Sequence, residues 1–257
     1  MPLTQHTIPV RGDMFSASYA RGGSGEPLVY LHGSEGPDKT GFLDKLAERY
    51  DVIAPTHPGW ADSTGLDHLD NVVDLAIYYH DFFDAMGLTS VNLVGHSLGG
   101  MLAAEIAAIN GSYVKKLVLA APIGLWLDDC IPMDMFAAPP EDVMKAAFVN
   151  PPEMPQPDPE DRVAQAKAML EREKARSATA KFIWPIWDKG LKKRIHRIKA
   201  PTLIIWGEHD GLVPPAYGPE FQRNIPGSRL VTLSKTAHVP MVEEQDAFVK
   251  LITDFLV

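Results

Sequence analysis

The stretch that most constrains this chain is Val91-Asn92-Leu93-Val94-Gly95-His96-Ser97-Leu98-Gly99-Gly100-Met101. The apolar run from Val91 to Val94 predicts a buried strand. A helical pattern begins at once behind it, with Leu98, Met101, Leu102, Glu105 and Ile106 at helical spacing. A serine therefore stands at the apex of a strand–turn–helix, between two glycines. A turn that sharp presses the backbone two residues before and two residues after the serine against its neighbours, where a Cβ at Gly95 or Gly99 would collide. The gain is a hydroxyl pushed clear of the sheet. The backbone N–H of Leu98 is also left free at a helix N-terminus, where partial positive charge can receive an oxyanion. The three fixed residues alone would arise in about one chain of this length in ten. The reading therefore depends on partners for Ser97.

The rest of the chain alternates strands with helices. Loose alternation from Ile8 to Tyr19 predicts one or two edge strands, and Leu28-Val29-Tyr30-Leu31 a strand covered on both faces. A helix follows on Phe42, Leu43, Leu46 and Ala47, then a strand over 51–54 and an amphipathic helix from Val72 to Met86. After the central strand and helix comes a strand over 116–121. From 127 to 189 the rhythm breaks: no strand-like run appears. This stretch holds a proline-dense piece at 150–159, a helix from Glu160 to about Lys174, and an aromatic knot from Phe182 to Trp187. The rhythm then resumes with a strand over 200–206, a helix around 218–224, a strand over 229–233 and a closing helix on Phe248, Leu251, Ile252 and Phe255.

This pattern predicts an α/β protein: a mostly parallel, twisted sheet with helices on both faces, plus an inserted helical cap. The core comprises residues 1–126 and 190–257, and the cap 127–189. Ligands bind such sheets at the C-terminal ends of the strands. Pocket lining is expected from His32, Trp126, Met135, Trp184, Trp187 and Val239.

A serine hydroxyl is a poor nucleophile and needs a base titrating near neutrality. Of nine histidines, His238 follows the last strand in a loop at the same sheet edge as Ser97. A carboxylate on its other ring nitrogen would fix its tautomer and stabilise the imidazolium. Asp210 follows the preceding strand, so the order is Ser97, Asp210, His238. His209 could serve as base, and Asp128 or Glu208 as orienter. His32 and His57 are expected to brace loops, and the His96 side chain to diverge from Ser97.

Five motifs carry a family resemblance: Leu31-His32-Gly33, Pro58 to Ser63, Gly95 to Gly100, Trp206 to Asp210, and Ala237 to Pro240. Through them the chain resembles an α/β-hydrolase over essentially its whole length. The resemblance implies an oxyanion hole from the N–H of Leu98 and one from Ser34, with Glu35 as the alternative. It also implies a cap after the sixth core strand. No cofactor or metal is expected. Two departures matter. Thr56 stands where the family usually has aspartate, and Trp60-Ala61-Asp62 replaces a glycine-rich spacing, which implies a bulkier pocket wall. Ser34-Glu35-Gly36 follows His32-Gly33 in place of a glycine run, which implies a stiffer oxyanion loop.

A serine at the elbow argues against dehalogenase and epoxide-hydrolase chemistry, which use aspartate there. The expected activity is a serine carboxylesterase acting on small to medium, largely apolar esters. The alternatives are a carbon–carbon hydrolase of a vinylogous diketone, favoured if Arg162 or Arg176 reaches the pocket, and a hydrolase-like ligand receptor. A net charge of −9 disfavours nucleic acid and anionic membranes. The single cysteine, Cys130, rules out an internal disulfide and a cysteine-built metal site. The N-terminal residues lack a basic start and an apolar core, so a cytoplasmic protein is expected. Monomer and homodimer stay open.

Overall fold

Short apolar runs closed by turns become strands wherever both their faces can be covered, and that rule builds the centre of this molecule. The computed structural model describes residues 2–152, 158 and 160–257. In chain order its elements begin with β1 (Thr4–Val10), β2 (Phe15–Gly22), β3 (Pro27–Leu31), α1 (Phe42–Leu46), β4 (Asp51–Pro55) and α2 (Val72–Ala85). β5 (Val91–His96), α3 (Leu98–Ile109), β6 (Val114–Ala120), α4 (Pro140–Ala147) and α5 (Arg162–Ile183) follow. β7 (Thr202–Gly207), α6 (Tyr217–Asn224), β8 (Arg229–Leu233), α7 (Pro240–Glu243) and α8 (Gln245–Leu256) complete the chain.

One eight-stranded sheet runs in the order β1-β2-β4-β3-β5-β6-β7-β8. β1 and β2 form an antiparallel hairpin, β2 joins β4 antiparallel, and every other neighbouring pair is parallel. Successive side chains on a strand point to opposite faces. Val29, Leu31, Leu93, Leu117, Leu119 and Ile204 accordingly pack under α2 and α3 on one face. Leu28, Tyr30, Val94, Val118, Leu203 and Ile205 pack with residues of α1 and α8 on the other. Both faces are dry, which is why these strands read as continuous apolar runs. The expected mostly parallel α/β-hydrolase sheet is thus present.

The two longest helices start where the sequence offers a cap. Asn71 caps α2 in a reciprocal capping box with Asp74, an arrangement worth about 1 kcal/mol. Asp161 caps α5 by accepting from the N–H groups of Val163 and Ala164. α5 is longer than its expected end near Lys174. Nothing from Ala175 to Ile183 breaks a helix, and it stops only at Trp184, before Pro185. α4 was not foreseen; it opens with Pro140 in its first turn. Between β6 and β7 the described residues contain no strand, as expected, although 153–157 and 159 of the proline-dense piece lie outside them. No described helix is long and apolar enough to cross a membrane.

Candidate active site

Ser97 joins β5 to α3 with φ 52° and ψ −114°. This is a conformation that a residue bearing a Cβ rarely adopts, and it costs on the order of 1–3 kcal/mol. Packing holds it there. A Cβ on Gly95 would lie 2.2 Å from the Gly99 carbonyl oxygen, and one on Gly99 would lie 2.0 Å from that of Leu31. The backbone is pinned from β6: the Ser97 N–H donates to the Ala120 carbonyl at 2.9 Å, and its carbonyl accepts from Ile123 at 3.3 Å. The first helical N–H groups have no acceptor inside the helix. That of Leu98 donates to no described residue, and neither does that of Ser34.

Asp210 and His238 meet because the ends of β7 and β8 are packed backbone to backbone. A Cβ on Gly207 would lie 1.9 Å from the Ala237 carbonyl oxygen, and His209 N–H donates to the Thr236 carbonyl at 3.0 Å. The Asp210 carboxylate is buried. Its Oδ1 accepts from the N–H groups of Leu212 (3.0 Å) and Val213 (2.8 Å), while Oδ2 faces His238 Nδ1 at 2.8 Å. A carboxylate can only accept, so Nδ1 carries a proton, and in the neutral ring it is Nε2 that holds the lone pair. α4 braces the same pair, with the Ala147 carbonyl accepting from His238 N–H at 3.0 Å and the Ala146 carbonyl from Gly211 N–H at 2.9 Å.

The ring of His96, next to Ser97, lies 5.0 Å from that of His238, and His96 Nε2 donates to the His238 carbonyl at 2.9 Å. The elbow and the histidine loop are therefore in direct contact. Among the described residues no hydrogen bond joins the Ser97 hydroxyl to His238. Both side chains are nearly closed off, Ser97 at 7% exposure and His238 at 5%.

The alternatives weighed from the sequence lie elsewhere. His209 and Glu208 are exposed, and Asp128 bonds to Trp126 Nε1 at 3.2 Å. His57 and His32 brace loops as expected. His32 Nδ1 donates to the Gly33 carbonyl at 2.7 Å and its Nε2 accepts from His57 N–H at 3.1 Å. His57 in turn bonds the His32 carbonyl at 2.8 Å and the Tyr79 hydroxyl. Burial drives both rings toward the neutral form, His32 down to about 4.

A cleft of about 780 Å³ opens beside the loop after β3. Its wall includes Ser34, Glu35, Trp60, Met135, Phe136 and Arg176, but neither Ser97 nor His238. Trp60 and Ala61 supply the bulk expected there. Of the six pocket residues expected, only Met135 lines this cleft. His32 is buried with both ring nitrogens engaged, and Trp187 is core at 6% exposure. Trp184 faces outward at 55%. Val239 packs against the core and Trp126 is half-buried, and neither lines the cleft. Apolar composition predicted that these residues would be covered or used, but not how deep each would lie.

Sequence reasoning missed two charged pairs. Glu105, fully buried in α3, is held by the guanidinium of Arg194 through bonds of 2.8 and 2.5 Å. Glu35 bonds His96 Nδ1 at 3.1 Å. A lone acid in an apolar helix was the available signal for the first; the second had none. Among the described residues no cluster of three or more potential metal ligands occurs.

The elbow, sheet order and loop placement define a class, and comparison with known proteins names it. Residues 28–251 match the model of the alpha/beta hydrolase family, and the chain belongs to that family. It is 29% identical over 258 residues to a 2-hydroxy-6-oxo-6-phenylhexa-2,4-dienoate hydrolase of Burkholderia cepacia, covering 91% of this chain and 88% of the relative. To Lipase 1 of Psychrobacter immobilis it is 28% identical over 252 residues, covering 89% and 76%. The crystal structure of a membrane phospholipase A superposes with a TM-score of 0.82 at 24% identity, covering 99% of this chain and 86% of that one. The protein is a hydrolase.

Proposed function

We propose that this hydrolase cleaves small to medium, largely apolar carboxylic esters through an acyl-enzyme, with Ser97, His238 and Asp210 as its catalytic residues. The observation that carries the reading is the Asp210–His238 bond, formed beside a serine held in a strained elbow. Asp210 fixes the Nδ1–H tautomer, so Nε2 can take the Ser97 proton as the hydroxyl attacks the carbonyl carbon. The oxyanion is received by the N–H groups of Leu98 and Ser34, each worth about 2.7–4 kcal/mol in comparable sites. The His238 imidazolium, balanced by Asp210, gives its proton to the leaving alcohol. Water then repeats the sequence on the acyl-enzyme and frees the acid. In this reading the segment 127–189 is a cap over the strand ends, and its wall of the cleft selects the substrate.

The lipase relative supports ester cleavage; the dienoate hydrolase supports the second reading, carbon–carbon cleavage of a vinylogous diketone by the same three residues. One observation favours it: Arg176 lines the cleft, with its Nη2 donating to the Phe136 carbonyl at 2.7 Å. The test compares purified parent and Ser97→Ala protein on an activated aryl ester and on a ring-cleavage diketone. Ester turnover by the parent and a roughly millionfold loss in the variant are expected. Equal ester rates in the two proteins would refute the mechanism, and turnover of the diketone alone would select the second reading.

A further inference from the structure

The loop after β3 carries a carboxylate that the proposed chemistry does not use. Glu35 Oε1 accepts from the Gly33 N–H at 3.1 Å and from His96 Nδ1 at 3.1 Å. His96 Nε2 donates onward to the His238 carbonyl at 2.9 Å. Three segments that must keep register, the oxyanion loop, the elbow and the histidine loop, are thus joined through one side chain. A Cβ at residue 33 would lie 2.4 Å from Glu35 Oε2, so any larger residue there would push the carboxylate aside.

The partners of His96 set its charge. A carbonyl and a carboxylate oxygen can only accept, so both ring nitrogens must donate and the ring is an imidazolium. The charged and titratable groups around it are Glu35 from the oxyanion loop, Asp210 and His238 from the β7 and β8 ends, and His32 after β3. Burial opposes charge on His96, but attraction and hydrogen bonding from Glu35, with the His238 carbonyl and Asp210, outweigh it and raise its pKa. Burial likewise opposes the Glu35 carboxylate, and His96 overcomes this, bringing it down to about 2. Half of the Glu35 side chain is open, toward the cleft, so solvent screens part of that attraction.

We infer that Glu35 is a positioning residue: its ion pair with His96 ties the Gly33 amide and the His238 loop to the Ser97 elbow. This rests on the proposed hydrolase mechanism. It carries a pH signature. Once His96 loses its proton at alkaline pH, while its Nε2–H still serves the His238 carbonyl, a lone pair on Nδ1 faces the carboxylate and the tie opens. Glutamine at position 35 keeps an acceptor for the Gly33 N–H but removes the negative charge, so the His96 imidazolium loses its counter-ion and gives up its proton at lower pH.

The experiment compares parent, Glu35→Gln and Glu35→Ala proteins. Each is titrated with a fluorophosphonate to count reactive serines, and then assayed on a short-chain p-nitrophenyl ester from pH 5 to 10. The His96 ring nitrogens are followed by NMR in the same proteins. Expected for Glu35→Ala is a kcat per titrated site at least tenfold below the parent, with KM changed less than threefold. Glu35→Gln recovers part of that loss, with its alkaline limb moved to lower pH. NMR shows both His96 nitrogens protonated at pH 7 in the parent and a neutral ring in both variants. The inference is overturned if Glu35→Ala matches the parent per titrated site, or if the two variants lose activity alike with an unshifted pH profile. A neutral His96 in the parent at pH 7 overturns it as well. A parent that neither reacts with the fluorophosphonate nor turns over ester refutes the hydrolase mechanism instead, and the NMR arm still decides the ion pair.

Discussion

α3, which starts at Ser97, and α5, which runs along the cleft, are built on opposite principles. Eleven of the twelve residues of α3 are buried, and its one charge, Glu105, is neutralised by Arg194. Of the twenty-two residues of α5, only Ala178, Thr179, Phe182 and Ile183 are buried, while Val163 (79% exposed), Met169 (68%) and Leu170 (55%) face outward. The nucleophile end is over-determined by packing on every side, which is what allows a strained serine to persist. The wall of the cleft is under-determined, so its sequence can vary with little cost to the fold. In the proposed mechanism, chemistry is held by the first region and selectivity falls to the second.

The sharpest way to break this contrast is at the buried end. Asp210→Asn should keep the loop geometry but favour the wrong His238 tautomer, lowering kcat on an aryl ester by about 10,000-fold. A loss under tenfold would show that the packed end does not carry the chemistry. Gly99→Ala forces a methyl toward the Leu31 carbonyl and should cost about 3 kcal/mol of stability, read by denaturant unfolding. Acid titration sharpens the same point. In the unfolded chain His32 takes its proton near its ordinary 6.5, but in the fold only near 4. The stability tied to its neutral form is therefore present above pH 6.5, falls as the pH drops from 6.5 toward 4, and is gone below that. The loss is about 3 kcal/mol, measured as unfolding free energy against pH. The smallest effect belongs to α5, where Val163→Ser and Leu170→Ala should each change stability by less than about 0.5 kcal/mol. A loss of 2 kcal/mol there would erase the distinction between the two helices.

The same contrast decides what could be read from the sequence. Gly95, Ser97 and Gly99 announced the elbow because a close backbone approach leaves no choice of residue. Asp210 and His238 were legible because loops after neighbouring parallel strands share one edge. Trp184 and Trp187 were not. Both sit in the same aromatic cluster, yet one is exposed and the other core, and composition does not record depth. The end of α5 was misplaced because its final turns lack any breaker until Pro185. The Glu35–His96 pair stayed hidden because it spans 61 residues and depends on one loop folding over another.

The most direct test of the central claim, that packing at the strand ends makes Ser97 nucleophilic, is the site of covalent labelling by a fluorophosphonate, located by peptide mass spectrometry in the parent and in His238→Ala. The account predicts one adduct, on Ser97, formed rapidly in the parent and at least a thousandfold more slowly in the variant. An adduct on another residue, or labelling of Ser97 at the same rate without the imidazole, would contradict it.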